Sequence, residues 1–284
     1  AGHQPMLSSD GSVVITYNGE IYNYQEIKNE LIEKGHSFST QTDTEVIIVA
    51  YQEWGTKSFS RFEGMYSFGL YDKKKQITLL VRCPFGIKPM YYAINKDQLI
   101  FSSEVRGIKA VYPEWKEYDA WKTYFLLFGH MPEPYTTLDK VFCLPVGSFL
   151  HLDLSTFKSK IETFTSFSHK TSENIAKSEA VAKVRELFDE SIRKHLISDA
   201  PLGVFLSGGI DSSVIATVAK KYKPDLQTLS VVFSEKEYSE EYYQDLVVDR
   251  IKTNHTKILI TQKEFEMELP AIFEAMDQPS IDGI

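Results

Sequence analysis

Apolar positions recur at two spacings along the chain, and the order of the spacings divides it. Ser12–Tyr17 is a β-branched run and predicts a strand. Tyr22–Lys34 carries Tyr24, Ile27 and Leu31 at helical spacing, with Gly35 as the stop. Thr42–Trp54 opens Thr-Asp-Thr-Glu and predicts an N-capped helix ending at Gly55. Met65–Tyr71 and Ile77–Arg82 read as strands around the polar turn 72–76, and Met90–Ile94 and Leu99–Ser102 as strands around Asn95-Lys96-Asp97. Such hairpins imply antiparallel sheet, so the front of the chain is α+β. Tyr112–Thr171 is mixed and broken by prolines, and the polar stretch Ser155–Asn174 marks the domain junction. Ile175–Leu196 then predicts a long amphipathic helix, with Val181, Val184, Leu187, Phe188, Ile192 and Leu196 on its packing face. Strands at Leu202–Leu206, Thr228–Phe233 and Thr256–Ile260 alternate with helices at Ser212–Tyr222, Glu240–Ile251 and Lys263–Ala275. That alternation predicts an α/β domain with a parallel sheet.

Composition narrows the picture. A chain of 284 residues, 43% hydrophobic and 25% charged, can form two folded domains. Its net charge of −8 gives no general attraction to nucleic acid or anionic membrane. The two cysteines, Cys83 and Cys143, exclude a disulfide framework and fit a reducing, cytoplasmic setting. No membrane span and no secretory leader are expected, and a homodimer is compatible with the chain. The seven histidines lack metal-ligand spacing, so zinc is not expected. Lys73-Lys74-Lys75 reads as a hairpin tip, and Trp121–Phe128 as core or inter-domain packing rather than a ligand cage. The chain opens at Ala1 and stops at Ile284 outside any recognisable element, so a fragment cut at both ends is expected.

Val204–Ser213 carries the most chemistry. An apolar strand runs into Ser207-Gly208-Gly209 and then a helix. Glycines let backbone approach a ligand, and a helix start offers free N–H groups and positive dipole. Ser207, Ser212 and Ser213 add hydroxyls, which together suit pyrophosphate. Asp211 reads either as a plain N-cap or, beside phosphates, as a Mg²⁺ contact. The string resembles the pyrophosphate-loop motif of the ATP pyrophosphatase superfamily, whose enzymes adenylate a carbonyl or carboxyl oxygen and release pyrophosphate.

Asn18-Gly19-Glu20 follows the first strand. A hairpin turn is one reading, but the helical spacing after Tyr22 argues against it. The other reading is an oxyanion hole built from the Asn18 side-chain amide and the Gly19 N–H, with Glu20 able to hold an ammonium group. Gly2-His3-Gln4-Pro5, Asn18–Asn23, Thr42–Glu45, Phe62–Met65, Phe85–Pro89 and Ser103–Val105, followed by the Ser207 loop, resemble the glutamine-hydrolysing asparagine synthetase family across essentially the whole chain.

The resemblance implies an Ntn-type amidotransferase domain over 1–165, lacking its N-terminal part, and a synthetase domain over 172–284, lacking its C-terminal part. It implies that Asn18 and Gly19 form the oxyanion hole and that Glu20 and Asp43 bind glutamine's amino group. Leu206, Ser207, Gly208, Gly209, Asp211, Ser212 and Ser213 would hold ATP, and Val232 would line the adenine pocket. Asp43 reads equally as helix cap and as ligand. Asp277 and Asp282 are expected beside the acceptor pocket. The family's nucleophile is a cysteine at the mature N-terminus, and the sequence, which begins at Ala1, does not include that residue. Cys83 and Cys143 read as structural thiols, so the piece alone is expected to lack glutaminase activity. The implied reaction is amidation of a carboxylate, aspartate first, with glutamine, ATP and Mg²⁺, through an acyl-adenylate. Amidation of a sugar acid or other carboxylate, and a non-catalytic nucleotide-binding remnant, stay open beside it.

Overall fold

The computed structural model describes residues 2–165, 167, 175–198 and 200–281. They fall into two compact units, one of residues 1–169 with 273–284 and one of residues 170–272.

In the first unit the elements run β1 (Met6–Leu7), β2 (Val13–Ile21), α1 (Tyr24–Glu33), α2 (Asp43–Trp54), a 3₁₀ turn (Gly55–Arg61), β3 (Gly64–Asp72), β4 (Ile77–Arg82), β5 (Tyr91–Asn95), β6 (Gln98–Ser102), α3 (Val105–Val111), α4 (Trp121–Phe128), β7 (Phe142–Cys143), β8 (Ser148–Asp153) and β9 (Lys158–Thr163). Among the described residues, six strands form an antiparallel sheet in the order β1-β2-β3-β4-β8-β9, and three form a second in the order β6-β5-β7. Alternation decides what each face carries. Ile15, Leu70 and Leu79 are paired across β2, β3 and β4, and their side chains pack with α1 and α2 through Ile27, Leu31, Val46 and Ile47. The opposite face carries Leu80, Leu150 and Leu152, which meet Tyr92, Ile94, Leu99 and Phe101 of the second sheet. On the far side of that sheet, Ala93 and Ile100 pack against Val105 and Ile108 of α3. The unit is therefore layered helix, sheet, sheet, helix. Gly69 makes the sheet-to-sheet contact close, because a Cβ there would run into the Phe101 ring.

The second unit holds α5 (Lys177–His195), β10 (Gly203–Phe205), α6 (Ile210–Tyr222), β11 (Gln227–Phe233), α7 (Glu241–Ile251) and β12 (Asn254–Ile260). Helix α8 (Gln262–Ala275) follows. β10, β11 and β12 are parallel in that order, as strand–helix alternation predicts. A small core of Ile192, Ala219 and Leu226, with Leu196 and Val204, joins α5 and α6 to β10.

Four expectations need correction. Strand β2 does not stop at Tyr17 but runs through Asn18-Gly19-Glu20 to Ile21, because all nine of its residues pair with β3. β9 lies inside the stretch assigned to the junction, where its six exposed residues make it read as linker. The span Trp121–Phe128 is helix α4 and is not core, since none of its residues is buried and Leu126 is 83% exposed. On α5 the stripe is real but only Ile192 is buried, with Val181, Val184, Leu187 and Phe188 all exposed.

Candidate active site

Strand β2 builds the first site. Backbone groups of an antiparallel strand alternate between its two edges. At Tyr17 both groups face away from β3 and are taken by one side chain. Gln4 Nε2 donates to the Tyr17 carbonyl at 2.9 Å, and Tyr17 N donates to Gln4 Oε1 at 2.6 Å. Four residues on, Ile21 N donates to Asp43 Oδ2 at 3.0 Å. Gly19 lies midway on the same edge, so its N–H points outward between these two supports. Only glycine fits there. Its φ is +150°, and a Cβ would overlap the Met65 carbonyl oxygen and lie 2.6 Å from Tyr66 Cα.

The neighbouring side chains converge on this point. Asn18 Nδ2 donates to Ser103 Oγ at 3.1 Å, leaving its second hydrogen for another acceptor. Tyr17 donates its hydroxyl to Asp43 Oδ2 at 2.6 Å. Burial, with the Asp43 carboxylate beside it, holds the Tyr17 phenol protonated far above the usual tyrosine range. Asp43 is not the helix cap. Thr42 fills that place, with its Oγ1 accepting from Glu45 N at 3.3 Å, while Glu45 accepts from Ser39 N and Thr40 N. A cavity of about 180 Å³ opens beside Asn18, lined also by Gln4, Ser67, Met90 and Ser103. Glu20 is exposed.

The sequence alone singles out Asn18, Gly19, Glu20 and Asp43 but gives no role to Gln4, Tyr17 or Ser103. It gives none to Arg82 either, which is 7% exposed. Arg82 donates to Glu133 Oε1 at 2.6 Å and to the carbonyls of Leu144 and Gly86, holding the loop that follows β4. Its Nη1 also lies 3.1 Å from Cys143 Sγ. Burial pushes the Cys143 thiol up to about 11, against the opposing pull of Arg82. Cys83 is fully buried.

The second site is the turn between β10 and α6. Gly208 has φ +85°, and a Cβ there would sit 3.0 Å from Tyr243 Cβ and 3.2 Å from Gln244 N of α7. Ser207 Oγ and Ser212 Oγ share a hydrogen bond at 3.0 Å, and Ser213 Oγ donates to the Gly209 carbonyl at 2.6 Å. Gly209, not Asp211, is the N-cap. Asp211 is an exposed first-turn residue of α6. Val232 is 4% exposed on β11, the middle strand. The glycine turn, three hydroxyls and first-turn amides of α6 fit a phosphate chain. Among the described residues no group of three His, Cys, Asp or Glu could hold a metal ion. Asp211 offers a single exposed carboxylate at this turn.

The expected acceptor-pocket residues fare differently. Asp277 has both oxygens on the start of α3, accepting from Val105 N at 2.6 Å and Arg106 N at 2.7 Å. Its carboxylate is engaged as a helix cap. Asp282 lies outside the described residues.

Residues 1–165 match the glutamine amidotransferase domain family. The chain belongs to that family. Residues 183–284 match the asparagine synthase family. Asparagine synthetase [glutamine-hydrolyzing] 1 of Bacillus subtilis is 34% identical over 285 residues, covering 99% of this chain and 44% of its own. Putative asparagine synthetase [glutamine-hydrolyzing] 2 of Methanocaldococcus jannaschii is 33% identical, covering 98% of this chain and 57% of its own. The chain thus spans about half the length of these relatives. No helix among the described residues is long and apolar enough to cross a membrane.

Proposed function

We propose that the protein serves the ATP-dependent amidation of a carboxylate, aspartate to asparagine being the favoured conversion, with ammonia taken from glutamine. One observation carries this reading. A glycine edge suited to an oxyanion and a glycine turn suited to a phosphate chain occur in one chain, in the order of the matched families.

In the first unit, attack on the glutamine amide carbon by the family's N-terminal cysteine, which the full protein would have to supply, would place negative charge on the amide oxygen, and collapse of that intermediate would break the C–N bond and release ammonia. Asn18 Nδ2 and the Gly19 N–H would accept that charge, and donors of this kind contribute about 10²–10³ in rate. Asp43 and Glu20 would hold the glutamine ammonium. In the second unit, Ser207, Gly208, Gly209, Ser212 and Ser213 would cradle the phosphates of ATP, with Leu206 and Val232 beside the nucleotide and Asp211 toward Mg²⁺. A bare carboxylate is a poor electrophile. Adenylation supplies AMP as leaving group, and ammonia then attacks the acyl carbon to give the amide. We place this chemistry in the cytoplasm.

The test is acid-dependent release of AMP and pyrophosphate from ATP, run with aspartate and with a panel of other carboxylic acids. Aspartate-dependent AMP with asparagine as product is the expected result. Release with a sugar acid instead would move the acceptor. Nucleotide binding without AMP release from any acid would sink the amidation reading. In the protein as its source makes it, Asn18→Ala should lose glutamine-dependent amide formation by at least about 10²-fold and keep the ammonium-dependent reaction.

A further inference from the structure

The open edge of β2 carries three successive outward positions, Tyr17, Gly19 and Ile21. The outer two are pinned from different parts of the chain. Gln4 takes both backbone groups of Tyr17, at 2.9 and 2.6 Å. Asp43 Oδ2 takes the Ile21 N–H at 3.0 Å and the Tyr17 hydroxyl at 2.6 Å. Among the described residues, Asp43 Oδ1 carries no hydrogen bond. The carboxylate is thus split, one oxygen tied to the strand and the other available. Three separate bonds to the Tyr17 residue and one to Ile21 leave the Gly19 N–H little freedom, although the β1 strand that would otherwise cover this edge ends its pairing at Ile15.

We propose that Gln4 and Tyr17 are positioning residues for glutamine hydrolysis. Gln4 stands in for a neighbouring strand and fixes the direction of the Gly19 N–H. Tyr17 fixes Asp43, so that Oδ1 faces the substrate ammonium at a set distance from the oxyanion donors. This rests on the glutamine reading of the site. The two residues act on different quantities. The Gly19 N–H meets charge that develops only in the transition state, so loosening it lowers kcat. The ammonium is bound equally in ground and transition states, so loosening Asp43 raises KM.

The experiment compares Gln4→Met and Tyr17→Phe with the parent, in the protein as its source makes it. Both variants keep side-chain bulk and remove only hydrogen bonds. Gln4→Met is expected to lower kcat for glutamine about tenfold with KM within about twofold of the parent. Tyr17→Phe is expected to raise KM, and the glutamine Kd by calorimetry, about tenfold with kcat nearly unchanged. Ammonium-dependent amide formation stays at the parent level in both. Parent-like constants in either variant overturn the assignment of that residue. Equal loss of glutamine- and ammonium-dependent turnover marks a purely structural role and overturns the proposal. A parent protein that neither binds nor hydrolyses glutamine removes the glutamine reading, and the clamp with it, whereas a parent that does so beside unaffected variants removes the clamp alone.

Discussion

Asn18, on β2, and Ser207, in the turn after β10, both stand beside a glycine ahead of a helix, yet their supports come from very different distances along the chain. Asn18 is held by Ser103, 85 residues away, and its neighbours Tyr17 and Ile21 by Asp43, 26 and 22 residues away. The serine bonds of the second loop reach only two to five residues. The first site is assembled by tertiary structure, and the second largely assembles itself. A change in the first should therefore disturb stability and chemistry together. A change in the second should act mainly on ligand binding.

The largest effect is expected from Gly19→Ala. The added methyl has no place to go, because the obstacle is the β3 backbone rather than a side chain. We expect the first unit to lose about 3 kcal/mol or more, measured by urea denaturation on the fluorescence of Trp54 at the end of α2. On the proposed function, glutamine-dependent turnover of the protein as its source makes it should be lost with it. A stable variant with parent turnover would contradict the close approach of β2 to β3.

Gly208→Ala is the counterpart in the second unit. Here the contacts are 3.0 to 3.3 Å, on Tyr243 Cβ, Gln244 N and the Glu240 carbonyl oxygen, so the start of α7 has to shift by only a few tenths of an ångström. The left-handed backbone at φ +85° costs about 1–2 kcal/mol with a Cβ present. The expected loss is of that size, with ATP affinity by calorimetry reduced about tenfold or more. If affinity holds while stability falls, the turn is structural and not a phosphate cradle.

Ser212→Ala sharpens the contrast further. Its hydroxyl accepts from Ser207 N at 3.3 Å, shares a hydrogen bond with Ser207 Oγ and donates to the Gly209 carbonyl at 3.2 Å. Removing this local network should cost about 1 kcal/mol of binding, or roughly fivefold in ATP affinity. The denaturation of the first unit should not move.

The same difference in range explains what could be read from the sequence. The Ser207 turn was legible because its signal is contiguous: apolar strand, Ser-Gly-Gly, then hydroxyls on a helix start. Asn18-Gly19 was visible only as two residue types next to each other, and local turn chemistry competed for them. That β2 continues straight through them depends on pairing with β3, which spacing alone does not reveal. Gln4, Tyr17 and Ser103 carry no motif that marks a clamp. Thr42 outcompeted Asp43 as the cap because its side chain reaches Glu45 N, which freed the carboxylate of Asp43 for β2. Nor does spacing reveal what Asp277 touches. Its partners at the start of α3 lie more than 170 residues earlier in the chain.

The smallest effect concerns pH and separates the units once more. His255 on β12 shares a hydrogen bond through Nδ1 with Thr228 Oγ1 at 2.9 Å, while its Nε2 is buried. Burial, helped by nearby Lys257 and opposed by Asp245, lowers its pKa below the ordinary imidazole value of 6.5. The folded chain thus holds this ring neutral where the unfolded chain would protonate it. The stabilising contribution is full above about pH 6.5 and declines as pH falls toward the folded value, because the unfolded state then binds the extra proton. Urea denaturation of the second unit, followed on the amide signals of β11 and β12, should weaken between pH 7.5 and pH 5. His255→Asn keeps a polar partner for Thr228 but removes the titration, so its loss over the same range should be smaller than the parent's. The first unit provides the internal reference, since this substitution should leave its pH dependence unchanged. Equal slopes for parent and variant in the second unit would show that the ring protonates in the folded state as readily as in the unfolded chain.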